Sequence, residues 1–157
     1  MVTHDDAGVP RTILPGLLVD QVELPVERGK IREFTRSTAT TDPVHTDSQA
    51  AIAAGFAGIP ATATYCVATG HYRDQAAFVE KLGMAIARVV VGSVSWRYLR
   101  VIVEGDVLTA TRRVESDDRR VGRSGPMRMV TLATEFTVRS GEVVLVQREV
   151  LIERGVQ

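Results

Sequence analysis

The sequence predicts an α+β domain in which an antiparallel β-sheet wraps a central helix, and three observations predict it. From Ile86 onward the segments "IARVVVGSVSWRYL", "DVLTATRRVES", "PMRMVTLATEFTV" and "EVVLVQREVLIER" are rich in Val, Thr and aromatic residues and are divided by Gly-containing breaks, the composition of strands. The gaps "VEGD", "DRRVGRSG" and "RSGE" suit antiparallel turns, whereas parallel neighbours need crossovers of about a dozen residues. The middle of the chain reads as helical, and its small residues, "PATATYCVATG" above all, would let a sheet approach closely.

The elements follow in order. Residues 1–19 carry Pro10, Pro15, Gly8 and Gly16 with little periodicity and read as a loose arm, which leaves residues 20–157 as one domain. "VDQVELPV" alternates as a short strand ended by Pro25, and "RGKIREFTRST" is a helix with Ile31 and Phe34 on one face. Thr46 or Asp47 caps a short helix through "SQAAIAA", with Gly55 just past its last turn. Pro60 opens a further helix through "ATATYCVATG", and "RDQAAFVEKLG" gives a last one ending near Gly83. Four long strands complete the sheet. Its open edges are expected to be protected by a second subunit, so a dimer is predicted.

Composition narrows the function classes. A chain of 157 residues that is 45% apolar and 24% charged fits one soluble domain with a sizeable core. Nineteen basic residues balance nineteen acidic ones, so the positive field that a nucleic acid partner requires is lacking. The one cysteine, Cys66, rules out an internal disulfide, and its neighbours Tyr65, Val67 and Ala68 suggest a small buried side chain rather than a nucleophile. No apolar run approaches the roughly 20 residues of a membrane span and the first residues lack a secretion pattern, so a cytoplasmic placement is expected. His4, His45 and His71 show no metal-ligand spacing, and no metal is expected. Arg119, Arg120 and Arg123 form a charged hairpin that reads first as a solvated surface and second as a contact for phosphates. Trp96 and Tyr98 read as core packing.

Chemistry concentrates in "TATTDPVHTD". An Asp-Pro pair such as Asp42-Pro43 commonly makes a turn through the Asp side chain, and Asp47 suits a helix cap. His45 is either a satisfied turn histidine or a proton carrier, since an imidazole titrates near neutral pH.

Three pieces in order, "TATTDPVHTD" with the following "AAGFAGIPATATY", then "GSVSWRYLRVIVEGDVLTATRRV", then "GRSGPMRMVTLATEFTVRSGEVV", span roughly residues 20–154. Together they resemble the MaoC-like hydratase and dehydratase family, within it the FAS1-like dehydratase branch, whose fold is the hot-dog fold. The first piece is similar to the family's Gly-Asp-x-Asn-Pro-x-His-x-Asp segment. The resemblance implies a lyase that hydrates an enoyl thioester or dehydrates its 3-hydroxyacyl form, on CoA or an acyl carrier protein, without a cofactor. Carried over by position, the family's His is His45, its Asp falls on Thr40, and its Asn falls on Asp42. The expected catalytic pair is therefore His45 as base with Asp42 assisting. Thr40, Gly55, Phe56, Ala61 and Thr62 are expected to line the substrate, with the amides of Ala61 and Thr62 at the helix start meeting the thioester oxygen. Thr40 keeps a second reading open, a non-catalytic acyl-thioester-binding subunit paired with an active relative, as homodimer or heterodimer, and the hot-dog fold itself leaves a third, a thioesterase.

Overall fold

The computed structural model describes residues 13, 15–122 and 125–155. Five strands, β1 (Leu18–Pro25), β2 (Val89–Tyr98), β3 (Val107–Gly122), β4 (Gly125–Thr137) and β5 (Val143–Arg154), form one sheet in the order β1-β3-β4-β5-β2. Every pairing is antiparallel. Three α-helices, α1 (Arg28–Ser37), α2 (Ser48–Ala53) and α3 (Gln75–Lys81), and a 3₁₀ helix, Tyr65–Tyr72, lie between β1 and β2 in the chain.

Alternation decides which face is covered. Leu108, Ala110, Arg112 and Val114 of β3 are buried, and Phe136, Thr134 and Leu132 of β4 stand beside the last three of them. The apolar members divide into two cores. Leu24, Ile31, Ile59, Tyr65, Leu108, Phe136 and Leu145 belong to the first, which takes in residues of α1, α2 and the 3₁₀ helix. Phe78, Val79 and Leu82 lie with Val114, Val130, Leu132 and Leu151 in the second. A polar row separates them: Asp20, Arg112, Thr134 and Gln147 are neighbours across the strands, and the Arg112 guanidinium meets both the Asp20 carboxylate and, at 4.0 Å, the Phe78 ring.

Several expectations are corrected. β1 begins at Leu18, inside the span read as an arm, because Leu18 pairs with Arg113 and the Gly16 amide donates to Val114 at 2.7 Å. Residues 1–12 lie outside the described residues. The helix expected to open at Pro60 starts at Tyr65 and is 3₁₀. Residues 59–61 are instead extended: Pro60 bridges Val103, Ala61 N–H donates to the Ile102 carbonyl at 2.9 Å, and Glu104 N–H donates to the Ile59 carbonyl at 2.9 Å. Those bonds outcompete a helix in a stretch with threonines, which form helices poorly. Most of the "DRRVGRSG" hairpin is strand, with Arg119 opposite Arg128, while Arg123 falls outside the described residues. Among the described residues no helix is long and apolar enough to cross a membrane.

Candidate active site

Two pieces of chain face each other across a cavity. One begins at Asp42, whose Oδ1 accepts from the Val44 amide at 3.1 Å and so caps the short 3₁₀ turn Pro43–His45. Asp47 then caps α2 by accepting from the Gln49 amide at 2.8 Å, and Gly55, at φ +88°, reverses the chain after it. The second piece is the extended segment 59–61 and the residues that follow it.

The cavity, about 470 Å³, is lined by Asp42, His45, Phe56, Ala61, Thr62 and Tyr98, with Val44, Ala54, Pro60, Ala63, Cys66, Val101 and Ile102 completing an apolar wall. Such a volume, mostly apolar with a few polar groups, is typical of a small-molecule site. The His45 ring nitrogen Nδ1 lies 2.7 Å from the Pro60 carbonyl oxygen. A carbonyl only accepts, so Nδ1 carries the proton and Nε2 of the neutral ring keeps its lone pair. Asp42 is exposed, and its second oxygen has no hydrogen-bond partner among the described residues.

Two of the expected lining residues stand elsewhere. Ala39 takes φ 53° and turns the chain back after α1, so the Thr40 amide donates to the Thr35 carbonyl at 3.0 Å and its hydroxyl meets the Thr38 hydroxyl at 2.9 Å. Thr40 is not on the cavity wall. Gly55 is absent from it too; its reversal presents Ala54 and Phe56 instead. The expected pair of oxyanion amides is also corrected, since Ala61 N–H is already bonded to Ile102. Thr62 keeps a free donor set: its amide has no acceptor among the described residues, and its buried hydroxyl likewise has no partner there.

Sequence reasoning missed Tyr98, Cys66 and the chain around Ile102. Tyr98 is 38% exposed, lines the cavity and donates its hydroxyl to the Ala63 carbonyl. The reading of Tyr98 as core packing is corrected, because its ring is partly exposed and faces the cavity. Cys66 is buried on the cavity wall, and burial pushes its thiol up to about 12, which keeps it protonated. Arg119 and Arg120 lie elsewhere. Through Arg128 and Glu153, Arg119 shares a row with Val89, roughly nine residues along β2 from Tyr98, about 30 Å at the rise of a strand. Among the described residues no cluster of three or more His, Cys, Asp or Glu could hold a metal ion.

A five-stranded antiparallel sheet packed with short helices, with a cavity between the His45 turn and the chain that runs from Pro60 to Cys66, defines a protein of the hot-dog fold. A family model described as "FAS1-like, dehydratase domain region" matches residues 14–147, and the chain belongs to that family. A UPF0336 protein of Clavibacter michiganensis is 38% identical over 136 residues, which cover 83% of this chain and 85% of that one. Among solved structures, a chain of the HadBC (3R-hydroxyacyl-ACP dehydratase) complex from Mycobacterium tuberculosis superposes with a TM-score of 0.71 at 22% identity, covering 92% of this chain and 97% of its own. A second, described as a MaoC-like dehydratase, gives 0.75 at 23% identity over 94% of this chain and 42% of its own. These structural likenesses establish the architecture that the family resemblance implied.

Proposed function

We propose that the protein hydrates a 2-enoyl thioester, or dehydrates the 3-hydroxyacyl form, with His45 as the base. The observation that carries this reading is the His45 ring on the cavity wall, its Nδ1–H held by the Pro60 carbonyl at 2.7 Å, with Nε2 left to accept a proton. In the hydration direction water loses a proton to Nε2 while its oxygen bonds to the β carbon, and a second proton, released by the imidazolium as the ring returns to neutral, is delivered to the α carbon. Asp42, on the same wall with one oxygen uncommitted, orients the water or relays that second proton. Negative charge gathers on the thioester oxygen, and Thr62, with its unpartnered amide and hydroxyl, is the group suited to meet it. Membership in a dehydratase-region family supports the same chemistry. The carrier is CoA or an acyl carrier protein.

Mixing the protein with a short trans-2-enoyl-CoA should bleach the conjugated enoyl absorbance. His45→Ala should slow this by about a hundredfold or more, the usual scale for losing a general base. Undiminished turnover in that variant would remove His45 from the mechanism.

Thr40 favours a second reading. With no carboxylate at the family's Asp position and Thr40 off the cavity wall, the chain also suits an acyl-thioester-binding subunit that pairs with a catalytically complete relative. β2 is an edge strand carrying Val91 at 56% exposure and Val94 at 41%, a surface suited to a related hot-dog subunit or to a second copy. Sedimentation and turnover of the protein alone, and mixed with a co-encoded relative, separate the two readings: activity alone supports the enzyme, and activity only in the mixture supports the subunit. A thioesterase would release free thiol from an acyl-CoA, which a thiol-reactive dye detects.

A further inference from the structure

We propose that Glu104 is a positioning residue for His45, acting through residues 59–61 and touching neither the imidazole nor the cavity. The proposal rests on the reading of His45 as the base for its effect on rate, but not for its effect on the ring itself.

The hydrogen bond between His45 and Pro60 joins two separate pieces of chain, the turn before α2 and the extended segment. Its geometry depends on where the Pro60 carbonyl points. Proline has no N–H, so nothing on Pro60 itself can anchor the segment through a donor. The peptide after it is planar, and because Ala61 N–H is drawn to the Ile102 carbonyl, the Pro60 carbonyl faces the opposite way, toward His45. The next donor upstream is the Ile59 amide. No backbone carbonyl takes it among the described residues; Glu104 Oε1 does, at 3.2 Å. The Glu104 backbone amide also grips that residue, through the Ile59 carbonyl at 2.9 Å.

The carboxylate is itself held. Arg28, the first residue of α1, donates from Nε to Oε2 at 2.8 Å and from a terminal nitrogen to Oε1 at 3.3 Å. The same terminal nitrogen donates to the hydroxyl of Ser48, the first residue of α2. A chain of contacts, Ser48 to Arg28 to Glu104 to Ile59, therefore ties the α2 side of the His45–Pro60 bond to its segment side. A carboxylate with two oxygens can receive the guanidinium and the amide together, which a hydroxyl or an apolar side chain at position 104 could not.

The test reads the ring nitrogens directly. Long-range proton–nitrogen correlation spectra of the full chain at about pH 8, above the ordinary imidazole range, are recorded for the wild type and for Glu104→Ala, Glu104→Met and Glu104→Gln. The His45 signals are assigned by their disappearance in His45→Ala. The wild type is expected to show the Nδ1–H form. Glu104→Ala, and Glu104→Met where the alanine variant does not fold, should move the ring to a mixture of the two tautomers. Glu104→Gln, which keeps an acceptor for the Ile59 amide, should restore the Nδ1–H form. If turnover is present, kcat of the alanine or methionine variant should fall about tenfold with KM little changed, as expected when a reacting group is misplaced while the groups that bind substrate stay where they were. A folded Glu104→Met or Glu104→Ala protein with the wild-type ring pattern overturns the proposal, as does a glutamine variant no better than methionine. A protein without turnover whose ring still responds to Glu104 would refute the function of His45 and leave the positioning intact.

Discussion

Cys66 and Tyr65 sit side by side with their polar atoms out of solvent, and burial sets the proton affinity of both. The thiol rises from 9.0 to about 12 and the phenol from 10.0 to about 12, desolvation being the leading cause in each case. Folded protein therefore holds these protons more tightly than the unfolded chain does. Their contribution is fully present below pH 9, and between pH 9 and 12 unfolding releases protons, so stability falls as pH rises. Urea midpoints measured upward from pH 8 should decline through that window, and Cys66→Ala should flatten the decline. A midpoint flat to pH 11 would mean that the thiol is solvated. Thr62 is the corresponding case for binding: a buried hydroxyl without a partner among the described residues carries a desolvation penalty of about 1–3 kcal/mol until a ligand or water engages it.

At the scale of elements, α2 and α3 are too short to stand alone, and an Asp side chain caps the start of each. α3 is seven residues long, and Asp74 Oδ1 accepts from its Ala77 amide at 2.9 Å. Phe78 and Val79 of that helix and Leu82 just after it carry its share of the second core. Asp74→Ala should lower stability by about 1 kcal/mol in chemical denaturation, with the turnover of the distant cavity unaffected. A decrease several times larger would mean that Asp74 holds more than the helix end.

Across the whole molecule, the second core lies between two ionic layers. One is the row of Asp20 and Arg112, to which Arg73 adds a bond to Asp20 at 3.3 Å. The other is Arg128, fully buried, which grips both oxygens of Asp117 at 2.9 and 2.8 Å. Burial by itself would raise the Asp117 pKa, but the two bonds from Arg128, the Ile13 amide and the nearby guanidinium charges outweigh it and hold the carboxyl below its ordinary 3.8. Its stabilisation is thus present above pH 3.8 and is lost as pH falls through the lower value of the folded state. Asp117→Asn, which strands a buried guanidinium, should cost about 3–5 kcal/mol in denaturant unfolding, and the double change Asp117→Leu with Arg128→Met should recover most of it. A single variant as stable as the wild type would show that water reaches Arg128.

Local chemistry made much of this protein legible. Runs of Val, Thr and aromatic residues between Gly-containing breaks marked the long strands, Thr46 or Asp47 and Gly55 bounded α2, and the turn carrying His45 was visible from Asp-Pro and the residues around it, because each of these depends on neighbours within a few positions. Pairing across the fold was not visible in the same way. Pro60 read as a helix start, yet hydrogen bonds from a segment some forty residues later drew it into an extended strap; Thr40 read as a lining residue until the left-handed Ala39 turned it back toward α1. Tyr98 and Cys66 showed their character but not that they share a wall with His45. The sequence by itself determined the strands, the fold class and the imidazole; only the tertiary structure decided that residues 59–61 are extended and which ring nitrogen bears the proton, because both are chosen by the partner that folding brings alongside.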